Sequence, residues 1–459
     1  MLNRKLLCST IVACAALSNP ASAAVLGVFH ENLNDGDNSV FVFGAEGTTG
    51  TITGGGGLNE NFLIDNTGVF TFNFGSRGRE MVSNGAVNTL SYRVDSADPI
   101  SALALNRAGF STDMTTLLDT DGLGKDYYVL TTPGVFGSGS QMSVTATENN
   151  TVVTIQSQVA LAGNAADTPF QVTLQAGESV FYESGTGGDL SGTRVTSDKD
   201  VAVFGGAECT QVPVGTTFCD HLVAQQFSVD NYDTEFNIST SVLSKSANGD
   251  VLRVIASQDD TEVFLNGVSQ GTINAGEVLD LADVDEGLLT SSKAVMAGQF
   301  IASQQGSPGD PAFAVIPSVD QQLKSYAYAT PVGFETFDEN WLNIAIDAAI
   351  ASTLSLNGAF VDTSLFENID GTLFGNLAID AGFGVIEAAD TFLATISGFE
   401  EADSYFSPIA TAFSPGVSPP PDPIPDPDPT PPVVPLPAAG WLLIAGIGGL
   451  AAMKRRKES

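Results

Sequence analysis

Residues 142–155, MSVTATENNTVVTI, and residues 252–265, LRVIASQDDTEVFL, share one plan. Each is an alternating apolar–polar run, a polar turn and a second alternating run. Side chains along a strand point to opposite faces in turn, so this period of two predicts a β-hairpin with one buried face. The surroundings recur too. LQAGESV (174–180) matches INAGEVL (273–279), and VTSDKDVAVFGG (195–206) matches LTSSKAVMAGQF (289–300). Fainter copies run through 352–361 with 386–399, and through 94–106. The repeats are expected to end near Tyr-rich strands at 127–133 and 326–331. A period of roughly 95–100 residues, with about eight short strands in each, restricts the chain to an all-β array.

Two architectures suit such a period. Each repeat can bury its own core as a β-sandwich, giving tandem β-sandwich-like repeats. Alternatively, the strands can divide into four-stranded blades in a β-propeller-like arrangement. The sandwich array is the expectation. Composition agrees with strands and tight turns, with 48 glycines and only 15% charged residues.

The two ends differ from the body. Arg4 and Lys5 precede an apolar stretch, and Ala21-Ser22-Ala23 ends it in small residues. This reads as a signal peptide over residues 1–23, cut by signal peptidase after Ala23. A rival reading makes 11–14 a lipobox with Cys14 lipidated, but the apolar stretch before it is short. The expected divisions are 24–139 for an N-terminal β-rich region, 140–331 for the clearest repeats and 332–413 for a C-terminal repeat. Residues 414–433 form a Pro/Asp-rich linker whose prolines exclude it from sheet or helix.

The formal net charge is −36, and without both ends 11 basic residues face 52 acidic ones. Such a surface repels phosphate backbones, so no nucleic acid partner is expected. Export would leave two cysteines, Cys209 and Cys219. An even pair in an oxidising compartment reads as one disulfide, with two free buried thiols as the alternative.

Catalytic patterns are scarce, and no enzyme is expected. There is no G-x-S-x-G elbow, and the two histidines, His30 and His221, leave no zincin pair. Asp220 and His221 are neighbours, so on a strand they would face opposite ways. No cofactor is expected, with one exception for calcium. Asp119, Asp121 and Asp126 surround a turn at Gly122, which suits a hard cation, although a solvated turn fits equally. A weaker version lies at 32–39.

Residues 197–226, SDKDVAVFGGAECTQVPVGTTFCDHLVAQQ, resemble the IgGFc-binding protein N-terminal domain family. The matching positions are Cys209, Val212, Pro213, Cys219, Asp220, His221 and Leu222. The resemblance covers about 140–331 well and continues through 249–267 and 309–331. The chain departs from the pattern at 230–236, where a Trp-Gly before Thr234 is missing. The resemblance implies an extracellular, non-enzymatic, adhesion-like module, and it does not imply antibody binding.

The tail resembles the VPLPA variant of PEP-CTERM sorting signals. Val434, Pro435, Leu436, Pro437 and Ala438 form the motif, an apolar stretch follows to Met453, and Lys454, Arg455, Arg456 and Lys457 form the basic stop. The apolar stretch would make a short C-terminal transmembrane helix of roughly 24 Å, less than a ~30 Å hydrocarbon core. The resemblance implies recognition and removal by an exosortase, with the membrane as a partner before processing. A permanent anchor is the alternative. Together these readings describe a protein of a Gram-negative cell surface or extracellular matrix that binds a surface glycan or protein ligand, in adhesion or biofilm. A structural matrix component, or a glycan hydrolase with unidentified carboxylates, is the alternative.

Overall fold

The two arms of MSVTATENNTVVTI are strands, Ser140–Ala146 and Thr151–Gln156, but they do not pair with each other. The same holds for Asp250–Ala256 and Thr261–Leu265. Each turn instead carries the chain from one sheet to another, so the predicted hairpin is an arch. Period-two alternation specifies a buried face and leaves the hydrogen-bonded neighbour open. Here the two arms bury their apolar faces across one core. The computed structural model describes residues 23–33, 36–75, 79–245, 249–303, 309–331 and 337–412. All of these lie in the first of two compact units, residues 1–421. Strands and short 3-10 turns are the only regular elements among them, so the chain is all-β.

Four repeats of one seven-strand plan follow each other. In the second repeat the strands are Gly124–Tyr128, Ser140–Ala146, Thr151–Gln156, Phe170–Leu174, Ser179–Glu183, Arg194–Thr210 and Asp220–Gln225. The sixth strand is long and serves two sheets. Its first half pairs with the first and third strands, and its second half with the second and seventh. The third repeat has the same pairings, with Gly287–Ile301 as its long strand, and the fourth has them with Phe383–Glu400. In the first repeat the long strand is broken into Tyr92–Ser96 and Ser101–Ala108. Pro99 sits in the break and has no N–H to continue a ladder.

The Tyr-rich strands thus open repeats rather than end them. Tyr127 and Tyr128 pair with the long strand that follows them, as do Tyr326 and Tyr328. The second and third sandwiches are each closed by their own apolar core, whereas the cores of the first and fourth run on into neighbouring repeats. In the second repeat Tyr127, Val153 and Val195 of one sheet meet Met142, Val144 and Val203 of the other. In the third, Phe236, Val263 and Leu289 meet Val254 and Ala297.

The sandwiches do not extend as a line. The seventh strands are Ser111–Leu117, Asp220–Gln225, Ala312–Ile316 and Asp403–Pro408, and each packs beside the next, with the last beside the first. The array closes into a ring around these four inner strands. One sheet of every repeat has its seventh strand innermost, then the long strand, then the second and fifth, as in a propeller blade. The structure therefore combines the two architectures weighed from sequence, with sandwich repeats set as blades. No helix among the described residues is long and apolar enough to cross a membrane. The signal peptide, Cys14, Ala21, the linker and the tail from Val434 to Lys457 lie outside the described residues. Ala23 opens the first strand, Ala23–Gly27, opposite Ser96.

Candidate functional site

The inner strands meet through side chains rather than a backbone ladder. The N–H groups of His221, Val223 and Gln225 donate to Ser111 Oγ (3.1 Å), Asp113 Oδ2 (3.0 Å) and Thr115 Oγ1 (2.9 Å). These partners advance together by two, so the first two inner strands run parallel. Thr112 Oγ1 donates to Asp403 Oδ2 (2.9 Å), and the Asp310 N–H to Ser404 Oγ (2.8 Å). Small hydroxyl residues here occupy the place of a ladder and satisfy buried N–H groups that would otherwise be orphaned.

Asp113 is the hub. Its Oδ1 accepts the N–H of Met114 (2.9 Å) and of Phe406 (3.3 Å), and its Oδ2 those of Val223 (3.0 Å) and Phe313 (3.2 Å). One donor comes from each inner strand. The side chain is fully buried, and burial pushes its carboxyl well up while the four N–H bonds pull it down. Four donors occupy the four acceptor positions of a carboxylate and leave no acceptor for an acid proton. The geometry is that of an ionised group held by backbone dipoles.

At one mouth of the ring stand three more carboxylates, Asp220, Asp310 and Asp403, each at the same place in its repeat. Asp220 accepts from the N–H of Thr112 (2.9 Å), His221 (2.7 Å) and Ser404 (3.3 Å). Asp310 Oδ1 and Asp403 Oδ1 accept no hydrogen bond among the described residues. Burial and its neighbours' charge push Asp220 well up. Burial and the charge of Asp403 push Asp310 up to about 8. Burial pushes Asp403 up to about 7 against the pull of Thr112 and Arg107.

The turns joining each long strand to its inner strand surround this mouth. In the second repeat that turn is the disulfide loop. Cys209 and Cys219 are bonded, with Cα atoms 5.3 Å apart, and the Val212–Pro213 peptide is cis. Val212 exchanges hydrogen bonds with Ser303 of the third repeat. The neighbouring 133–139 loop is tied on by Val135 N–H and Ser138 Oγ, both to the Cys209 carbonyl (2.9 Å each). Four apolar side chains stand out here, Phe136 (79% exposed), Val214 (63%), Phe110 (61%) and Phe218 (44%). All three phenylalanines have left-handed backbone, with φ of 54°, 61° and 26° for Phe136, Phe110 and Phe218. A bulky residue seldom adopts that region.

Of the residues singled out from sequence, Cys209, Pro213, Cys219, Asp220, His221 and Leu222 come together at this mouth. Asp220 faces the other carboxylates. His221 and Leu222 are fully buried, and burial together with nearby His30 holds the His221 imidazole down at about 3, hence neutral. Two of the three carboxylates proposed for calcium, Asp119 and Asp126, have protein partners, and Asp121 contributes its backbone N–H. Asp119 caps a 3-10 turn and accepts the N–H groups of Asp121 and Ala24, while Asp126 makes a two-pronged pair with Arg194. Among the described residues no three His, Cys, Asp or Glu side chains are placed to hold a metal ion. Sequence reading missed Asp113, Asp310 and Asp403. The last two had a signal, since CDHLVA, GDPAFA and ADSYFS align on their aspartates. Asp113 had none, because it stands at 113 where the other repeats carry Leu222, Ala312 and Tyr405.

These features define a ring-closed, all-β repeat protein with a disulfide-stapled mouth. The IgGFc binding protein family matches residues 113–398, more than half of the chain, and the chain belongs to that family. Human IgGFc-binding protein is 28% identical over 296 residues, covering 62% of this chain. That stretch is 5% of the human protein's length. The family match begins at the hub residue and takes in the second and third repeats and most of the fourth. The first repeat, which lies outside the match except for the end of its inner strand, has the same strand order.

Proposed function

We propose that this protein is a binding module of a Gram-negative cell surface or matrix, and that the ring mouth is its contact face for a protein ligand. The observation that carries this reading is the set of Phe110, Phe136 and Phe218, exposed and held with left-handed backbone around a disulfide. Such backbone costs about 1–3 kcal/mol per residue, and it persists where the surroundings fix it for a purpose. Exposed aromatic side chains on a rigid base are the anchors that dominate protein interfaces. Beside them Glu208 is pushed up to about 7 by burial and by the charges of Glu183 and Glu31. The ligand would therefore pair apolar contacts with basic ones.

Adhesion to cells, or of copies to each other, is the activity this supports. Export by a signal peptide and release of the 434–459 tail by an exosortase would bring the ring to that surface. Mass spectrometry of the mature C-terminus tests the tail, and retention of Lys454 to Lys457 refutes processing. For the mouth, the purified chain is assayed on cells of the producing strain, on itself and on immunoglobulin Fc. Serine at 110, 136 and 218 should abolish whichever binding is found while leaving thermal unfolding unchanged. If the chain binds none of these and its deletion leaves attachment intact, the proposal fails.

A further inference from the structure

A cavity of about 370 Å³ opens where the third repeat meets the fourth, away from the ring mouth. The first strand of the third repeat supplies Glu235. The fourth repeat supplies Asp347 and Asp370, with Phe374, Ile350 and Ile369 as apolar wall. Gln322, from the link between the repeats, is 95% buried by its 5% exposure, and its Nε2 has no hydrogen-bond partner. A buried amide donor without an acceptor costs about 1–3 kcal/mol, so this group calls for an oxygen from outside.

The lining narrows what can supply that oxygen. Ionised carboxylates only accept hydrogen bonds, whereas the Gln322 amide N–H donates. A cation would satisfy the carboxylates and oppose the amide. An anion would satisfy the amide and be repelled by the carboxylates. A hydroxyl both accepts and donates, and several on one ring can serve both sides at once. The C–H face of such a ring fits the wall of Phe374 and Ile350. The volume lies within the range of ordinary small-molecule sites.

We propose that this cleft binds a neutral carbohydrate, with Gln322 donating to one hydroxyl and Glu235, Asp347 and Asp370 accepting from others. The corresponding seam between the first and second repeats also opens, to about 640 Å³, but its lining is Thr53, Thr89, Ser91, Arg93 and Thr147. The space thus comes from how repeats join, and the acid-and-amide lining belongs to the third seam.

The test uses the full chain and saturation-transfer NMR with glucose, galactose, mannose, xylose, N-acetylglucosamine, maltose and cellobiose, beside a lysine-rich peptide. At least one sugar should bind. Asp370→Asn, at a left-handed position that Asn tolerates (φ 48°), and Glu235→Gln should each weaken it at least tenfold with unfolding unchanged. Gln322→Leu should weaken it as much while raising the unfolding midpoint, because the unpaired buried donor is gone, and the serine variants of the ring mouth should leave it unaltered. Binding of none of the sugars, binding indifferent to these substitutions, or binding of the peptide alone overturns the proposal.

Discussion

Asp113→Asn keeps the shape of the hub and removes half of its acceptors. The carboxylate takes two N–H groups on each oxygen. The amide offers one oxygen and turns an NH2 toward the other two donors. Two buried backbone N–H groups are then unmet, from the pair Met114 and Phe406 or the pair Val223 and Phe313. At about 1–3 kcal/mol for each, the gross loss is about 2–6 kcal/mol. Removing a buried charge returns part of this, so a net loss of about 2–4 kcal/mol is expected. Urea unfolding of the purified full chain, followed by circular dichroism, reads the loss as a lower midpoint at constant slope. Asp113→Ala, which leaves all four donors unmet, should fall further. A carboxylic acid at 113 would predict a nearly silent Asn variant, because it already has a donor there. An unchanged midpoint would therefore refute the hub as described.

Three further outcomes follow from other parts of the molecule. Replacing Cys209 and Cys219 with serine opens the loop they close and should cost about 2.5–3 kcal/mol, which reducing agent should reproduce on the wild type but not on the variant. The folded carboxyls of Asp250, Asp403 and Asp310 lie near 6, 7 and 8, above their unfolded values, so their stabilisation is complete below about pH 4 and is lost as pH rises through 6 to 8. Stability should thus fall as pH rises from about 4 to about 8, by up to ~1.4 kcal/mol per pH unit for each group until its folded value is passed, read as a falling unfolding temperature, and Asp310→Asn should flatten the slope. His30 and His221, held near 3 by burial, act in the opposite sense and destabilise as pH drops below about 6.5. Finally, Arg253 of the third repeat pairs with Asp189 of the second (2.9 Å) and with Asp280 (2.7 Å), and donates to Ser191 Oγ (3.1 Å). Burial pushes Asp189 up, and the guanidinium together with the hydrogen bonds from Ser191 more than offsets it. Arg253→Met should cost about 2–4 kcal/mol, below a fully buried broken pair because Asp189 keeps 27% of its side chain in water, and a double-mutant cycle with Asp189→Asn checks the coupling.

The sequence showed the strands through their alternation, and the repeats through their recurrence. It did not show which strands pair, because the arch at 147–150 and a hairpin turn are written in the same polar residues. Nor did it show ring closure. Closure rests on contacts between residues as far apart as Thr112 and Asp403, and no local pattern registers them. The disulfide and Asp220 were legible because they lie in one short segment. Asp113 was not, since a single aspartate in STDMTTL looks like an ordinary polar residue of a strand. Only the convergence of four strands makes it central.

That convergence bears on how many repeats the protein can have. A carboxylate has four good places for a hydrogen-bond donor, and four strands each bring one. A fifth copy would arrive with an N–H and find no vacancy. Loss of one would leave an oxygen half-served in a dry interior. Chains that grew by duplication are usually free to lengthen, but in this one the valence of a single side chain sets the copy number. Gain or loss of a repeat would have to be accompanied by replacement of Asp113 itself.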